Sequence, residues 1–164
     1  YDFSQIAIPY DNVDDEFLAK PRKWDTKGLG TFMNVMGPIS SIIDVLAFLA
    51  FWFILGYNSA DMQSYFQTAW FVECLISETL IIYFVRTAKI PFIQSKPNSK
   101  LVFLTIVTIV GTILAPILLH NISAFNFEIL PPKYYLIVII LSMLYVILVQ
   151  IVKKIYIKKV GEWL

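Results

Sequence analysis

The chain has 164 residues, of which 58% are hydrophobic and only 15% are charged, against about 25% in ordinary soluble domains. Thirteen Lys and Arg nearly cancel twelve Asp and Glu, and the net charge of +1 excludes a strongly basic nucleic-acid binder and an acidic disordered tail. A soluble monomer does not tolerate as much exposed apolar surface as this composition would give. The composition therefore predicts an integral membrane protein with the lipid bilayer as its surroundings. The single Cys and single His exclude a disulfide framework within the chain and leave little room for an imidazole-based metal site.

Four apolar stretches approach the roughly 20 residues that a helix needs to cross a bilayer. We predict spans near 38–57, 66–85, 101–119 and 134–152. Barrel strands would alternate polar and apolar residues, whereas these runs are unbroken. Helices also satisfy their own backbone hydrogen bonds, as lipid requires. The sequence thus predicts an all-α membrane protein with four transmembrane helices.

The basic residues are distributed unevenly among the connections. Residues 10–34, residues 86–100 and the C-terminal tail carry twelve Lys and Arg, whereas residues 58–65 and 120–133 carry one. Cytoplasmic loops of membrane proteins are enriched in Lys and Arg. We therefore expect the three basic segments, including the C-terminus, to be cytoplasmic.

Several aromatic residues fall near the predicted ends of the spans, where aromatic rings often anchor a helix at the membrane surface. We expect this anchoring role for Trp24, Trp70, Tyr134, Tyr135 and Trp163.

The informative residues are three acids inside the predicted spans, Asp44, Glu73 and Glu78. A charge in the middle of a bilayer costs at least about 2.5–3.5 kcal/mol, and such residues face the interior of a bundle and mark ion paths, proton relays or buried pairs. The predicted spans contain no Lys or Arg. The acids are therefore protonated and hydrogen-bonded within helix packing, bound to a cation, or paired with a base on another helix.

The predicted boundaries give each acid a depth. At 1.5 Å per residue, Asp44 and Glu78 each lie about 10 Å from the cytoplasmic end of their spans, which places them at one level. Glu73 lies about 7.5 Å further outward and about 140° around the helix from Glu78. Ser40 and Ser77 each fall one turn from an acid and could add a hydroxyl to its face.

The available ligands favour a hard cation. Mg²⁺ and Ca²⁺ prefer carboxylate, carbonyl and water oxygens, which these spans supply. Cys74, the only thiol, is expected to be a small apolar packing residue, since one Cys does not by itself make a soft-metal site.

The first residues look like the end of another membrane segment. Residues 1–9 are semi-apolar and run directly into a charged stretch. We expect residues 1–9 to be the end of a truncated helix, and residues 10–36 to be a cytoplasmic loop with an amphipathic lead-in. Residues 37–164 would then form a four-helix transmembrane domain with a basic tail. The alternative is that residues 1–9 are only a short amphipathic lead-in.

Several long segments resemble the C-terminal membrane region of bacterial magnesium-transporting P-type ATPases. They are residues 1–9, 11–25, 37–44, 67–73, 86–95 and 156–163. The resemblance covers essentially the whole chain. It implies that residues 1–9 end the sixth helix of such a pump and that the four spans are its helices seven to ten.

The resemblance also implies roles for the acids. Asp2 matches the helix-six aspartate that binds the transported ion in this superfamily. Glu78 matches the helix-eight position where calcium pumps place an ion-binding glutamate. Asp44 and Glu73 match acids typical of the magnesium-pump pattern.

The expected function is therefore that of the last part of a pump for Mg²⁺, the transported ion, in a bacterial plasma membrane. ATP would be used only by the parent protein, because the phosphorylated Asp-Lys-Thr-Gly-Thr motif and the nucleotide-binding domain are not in this sequence. Its partner would be the missing N-terminal part of the same pump. Two alternatives stay open, a P-type pump for Ca²⁺ or another cation and a non-enzymatic four-helix membrane scaffold.

Overall fold

The computed structural model describes residues 2–19, 26–161 and 163. These residues form two short helices, four long helices and brief helical turns. The short helices are α1 (Asp2–Gln5) and α2 (Asp15–Leu18), and the long ones are α3 (Thr26–Leu49), α4 (Gln63–Val85), α5 (Ser99–Leu119) and α6 (Pro132–Val160). A π-helical turn (Ala50–Ile54) extends α3, and 3₁₀ turns lie at Ile8–Tyr10 and Ala60–Met62.

The four long helices are long and apolar enough to cross a membrane. The apolar segments are Gly28–Ile54, Ala60–Val85, Ser99–Leu119 and Pro132–Val160. The predicted all-α membrane fold with four spans is thereby confirmed.

The first long helix begins earlier than the sequence predicted. α3 starts at Thr26, twelve residues before the expected boundary at 38, so the end of the expected loop at 10–36 is helical. Pro38 lies inside the helix, where it has no N–H to donate to the carbonyl of Asn34 and its ring crowds that carbonyl. Phe32 and Met36 on these early turns are buried in a cluster with the C-terminal end of α6. Their burial explains why the helix continues on both sides of the proline.

Helices α3 and α4 both pack against α6, and α5 packs against α4. Each of these three contacts includes a hydroxyl hydrogen bond of the kind that joins helices in lipid. The bonds join Ser40 with Tyr145 at 2.9 Å, Tyr134 with the carbonyl of Ala69 at 2.7 Å, and Tyr83 with Thr105 at 2.7 Å. They fix the register of the four helices.

The connections gather at two ends of the bundle. The basic end, as we name it, consists of residues 8–19, 86–100, 153–161 and 163. These segments contact one another through side chains. The opposite end consists of residues 54–64 and 120–133, where Asn126 donates to Ser64 and Lys133 to the carbonyl of Ile54. This grouping agrees with the predicted alternation of the loops. The side of the membrane that each end faces stays a prediction.

Two of the expected membrane-surface aromatics are packed inside the bundle. Tyr134 is 0% exposed and Trp163 is 3% exposed, so the anchoring prediction is wrong for both. The indole N–H of Trp163 donates to the carbonyl of Val85. This bond holds the ring against the end of α4. Trp70 and Tyr135 are half-buried, and their anchoring role stays a prediction. Trp24 lies outside the described residues.

Candidate cation site

Two helices bring three ionisable side chains together near the middle of the bundle. One carboxylate oxygen of Asp44, one of Glu73 and the sulfur of Cys74 all lie within 4.8 Å of one another. Asp44 projects from α3, and the other two residues are neighbours on α4. We call this group the α3–α4 cluster. It joins residues that are 29 and 30 positions apart in sequence.

The α3–α4 cluster is largely shielded within the chain. Glu73 is 2% exposed, and its Oε2 atom is buried with no hydrogen-bond partner among the described residues. Asp44 and Cys74 are half-buried. Neither acid has an ion-pair partner in the part of the chain that the structure describes. Two carboxyl groups therefore lie side by side at mid-helix depth without a basic side chain to balance them.

The pairing of acids differs from the sequence expectation. The predicted boundaries placed Asp44 level with Glu78, but Asp44 lies beside Glu73. The expected level was reckoned from a helix start at 38, whereas Asp44 lies 18 residues after the first residue of α3, Thr26.

Asp2 and Glu78, the other two acids singled out from the sequence, are not part of this cluster. Asp2 is exposed on α1, which packs against α5, and Glu78 is exposed on α4. The structure thus brings two of the four acids together and leaves two on the surface of this chain. Their role as ion ligands stays a prediction.

The two serines expected to support the acids have other partners. Ser40 Oγ bonds Tyr145 Oη at 2.9 Å, and Ser77 Oγ donates to the carbonyl of Cys74 at 3.0 Å. The Ser40 hydroxyl thus joins α3 to α6, and the Ser77 hydroxyl bonds within α4. Cys74, which we expected to be a packing residue, supplies the third donor of the cluster. The only sequence signal for this was its position next to an intramembrane glutamate.

A second group of polar side chains, at the basic end, was not predicted at all. Arg86 Nε donates to the Asp11 carboxylate, and Arg86 Nη2 donates to the carbonyl of Asn12 at 2.8 Å. The other Asp11 oxygen accepts from the backbone N–H of Asn98 at 2.7 Å. Asn98 in turn caps α5 by accepting from the backbone N–H of Lys100 at 2.9 Å. One carboxylate therefore holds the end of α4 and the start of α5.

Asp14 extends this network. Its Oδ1 atom accepts from Ser95 Oγ at 2.6 Å and its Oδ2 atom accepts from the hydroxyl of Thr87. Partial burial raises the pKa of Asp14, but the hydrogen bonds from Ser95 and Thr87 and the positive charges of Lys89 and Arg86 outweigh burial, so that its pKa lies below the ordinary value of 3.8. These contacts can organise a loop, and they contain no ligand set for a metal ion.

The comparisons with known proteins agree with this architecture. Residues 1–155 match the family described as the C-terminus of cation transporting ATPases, and the chain belongs to that family.

Two curated relatives are named as magnesium-transporting ATPases. The chain is 39% identical, over 99% of its length, to "Magnesium-transporting ATPase, P-type 1" of Salmonella typhimurium. It is 40% identical, over 98% of its length, to the protein of the same name in Escherichia coli. The resemblance stated from the sequence motifs is thereby confirmed. The chain spans about 18% of the length of these curated relatives.

Proposed function

We propose that this chain forms the last membrane helices of an ATP-driven pump that imports Mg²⁺ across a bacterial plasma membrane. The observation that carries the proposal is the similarity, over nearly the whole chain, to curated magnesium-transporting ATPases. The four spanning helices and the unbalanced acids at mid-helix depth support it. The remainder of the pump would supply ATP binding, phosphorylation and the other ion ligands. The basic end, with the C-terminus, would face the cytoplasm.

Asp2 is proposed as a ligand of the transported ion, with Glu78 as a second. Both side chains are exposed on this chain, as expected for groups that face helices of the pump outside it. Mg²⁺ loses its water reluctantly and is usually held through one or two carboxylates and several waters. A site shared between Asp2, Glu78 and the preceding helices fits that chemistry.

Asp44 and Glu73 would have a supporting role in transport. They lie on helices that would brace the moving part of the pump. They are half-buried and buried respectively, which makes them less accessible to a hydrated ion than Asp2.

The test uses the full-length pump. Asp2→Asn keeps the size of the side chain and removes its charge, and we expect it to lower Mg²⁺-stimulated ATPase activity and Mg²⁺ uptake at least tenfold. Asp15→Asn is the matched control, because Asp15 is an exposed aspartate on α2, and it should leave both rates within twofold. Unchanged uptake by the Asp2→Asn pump would show that Asp2 is not a ligand.

A further inference from the structure

The α3–α4 cluster is compact enough to hold a metal ion after a small rearrangement of its side chains. Its three donor atoms lie within 4.8 Å of one another. Ligands around a tetrahedral Zn²⁺, at about 2.0 Å for oxygen and 2.3 Å for sulfur, lie about 3.5 Å apart. An inward shift of about 1 Å, within the reach of side-chain rotation, would bring all three atoms onto one ion.

A second observation points to a ligand, independently of the spacing. Glu73 is 2% exposed, and its buried Oε2 has no partner among the described residues. Buried polar atoms are nearly always hydrogen-bonded, and an exception calls for an explanation such as an ion. An ion between Asp44 and Glu73 would satisfy this oxygen and balance both carboxylates.

The donor set indicates which metals fit. Mg²⁺ takes oxygen ligands in octahedral geometry, whereas one of the three donors here is the sulfur of Cys74. Thiolate ligands select softer ions, and Zn²⁺ accepts mixed carboxylate and thiolate sets. We propose that Asp44, Glu73 and Cys74 form a binding site for a divalent metal of borderline softness, Zn²⁺ or its analogue Cd²⁺, between α3 and α4.

This site is separate from the proposed transport ligands. It needs only the contact between two helices of this chain, and it includes neither Asp2 nor Glu78. A metal bound here would clamp α3 to α4 and stabilise the folded pump, because any ligand that binds only the folded state raises its stability. The proposal would stand even if Asp2 proved not to bind the transported ion.

The experiment measures metal binding by the resting full-length pump, without ATP. Cd²⁺ is titrated in, and the ultraviolet charge-transfer band of the thiolate–Cd²⁺ bond is recorded as the difference between the unmodified pump and Cys74→Ser. This subtraction removes any signal from other cysteines. We expect a band that saturates at one Cd²⁺ per pump and persists in excess Mg²⁺. Glu73→Gln and Asp44→Asn, each measured against its own Cys74→Ser double variant, should weaken binding at least roughly tenfold, since loss of even an outer-shell partner lowers metal affinity by that factor.

Two controls keep the outcome decisive. Asp61→Asn removes an exposed carboxylate from the 3₁₀ turn before α4 and should not change the Cd²⁺ affinity. Zn²⁺ should raise the melting temperature of the unmodified pump but not that of Cys74→Ser, a near-isosteric change that we expect to fold even if Glu73→Gln does not. The proposal would be overturned if no Cd²⁺ band depended on Cys74. It would also be overturned if Mg²⁺ displaced the bound Cd²⁺ and Cys74→Ser left the Cd²⁺ affinity unchanged.

Discussion

Arg86 and Asp11 form an ion pair across 75 residues of sequence, with side chains that are only 8% and 10% exposed. Arg86 follows the last residue of α4, and Asp11 follows the 3₁₀ turn after α1. Because Asp11 also accepts from the backbone of Asn98, this pair ties the segment after the first short helix to both ends of the α4–α5 connection. In the proposed pump this segment would follow the ion-binding sixth helix, so the pair would hold that helix against its scaffold.

Breaking this pair should destabilise the pump. Arg86→Met removes the charge and leaves the Asp11 carboxylate without its main partner, and loss of one partner of a largely buried pair costs about 3–5 kcal/mol. Asp11→Asn should have a smaller effect in the same direction, because the amide oxygen can still accept from Asn98. The measurement is the thermal unfolding of the purified full-length pump.

The same measurement on the double variant separates the pair from other effects. Because the two residues interact directly, Arg86→Met with Asp11→Asn should lose less than the sum of the single losses. Lys159→Met, at an exposed position near the end of α6, is the control for loss of a positive charge, and it should change stability by no more than about 0.5 kcal/mol. Additive losses would show that the pair contributes nothing beyond its separate members.

Asp14 should make the basic end sensitive to acid. Its pKa in the folded protein is below the ordinary value of 3.8, so its charged form stabilises folding fully above that value. The contribution disappears as pH falls below 3.8 and through the lower folded pKa, because the folded state then has to take up a proton that the unfolded state already holds. Asp14→Asn should therefore be less stable than the unmodified pump at neutral pH, with a difference that shrinks in acid.

Hydrogen exchange of residues 86–95, measured as a function of pH, checks this prediction locally. The unmodified pump should protect these amides at neutral pH and lose protection in acid, whereas Asp14→Asn should show low protection at both. A pH profile that Asp14→Asn leaves unchanged would contradict the assignment.

Lys153 and Lys154 are neighbouring lysines near the end of α6, and replacing each one tests what burial of a lysine contributes to stability. Lys153 is 1% exposed, and its Nζ donates to the carbonyls of Thr87 at 2.8 Å and Lys89 at 3.3 Å, whereas Lys154 is exposed. Lys153→Met keeps the aliphatic stem but leaves these carbonyls unpaired, a loss worth about 1–3 kcal/mol. Lys154→Met should be nearly neutral. Thermal unfolding of the two variants distinguishes them, and equal melting temperatures would show that removing the buried charge offsets the lost hydrogen bonds.

The sequence predicted the helices well because long apolar runs in a membrane protein have few other structures available. The start of α3 was misplaced because of Pro38. Proline is common in the first turn of a helix and unusual inside one, so Pro38 indicated the helix start. The closeness of Asp44 to Glu73 was missed as well. Whether Asp44 meets Glu73 or Glu78 depends on how α3 and α4 pack. The hydrophobic periodicity along a single helix carries no information about that packing.

The basic-end network could not be predicted for a different reason. Twelve basic residues on three segments indicated orientation, and Lys and Arg are rarely fully buried in proteins. Nothing in the sequence distinguishes Lys153 from Lys154, yet one is buried and the other exposed. The difference in burial between the two lysines arises because one face of α6 meets the α4–α5 loop. This is a tertiary contact, which local sequence does not reveal.

Glu78 and Ser77 give the last test, because they are neighbours on α4 with different proposed roles. Glu78 is exposed and is proposed to reach the transported ion, whereas the Ser77 hydroxyl donates to the Cys74 carbonyl within its own helix. Glu78→Gln should raise the Mg²⁺ concentration for half-maximal ATPase stimulation at least threefold, because an amide oxygen can still coordinate Mg²⁺ but without a charge. Ser77→Ala should leave it unchanged. If Glu78→Gln has no effect, Glu78 does not face the ion, and if Glu78→Gln and Ser77→Ala shift the concentration equally, the effect reflects the packing of α4.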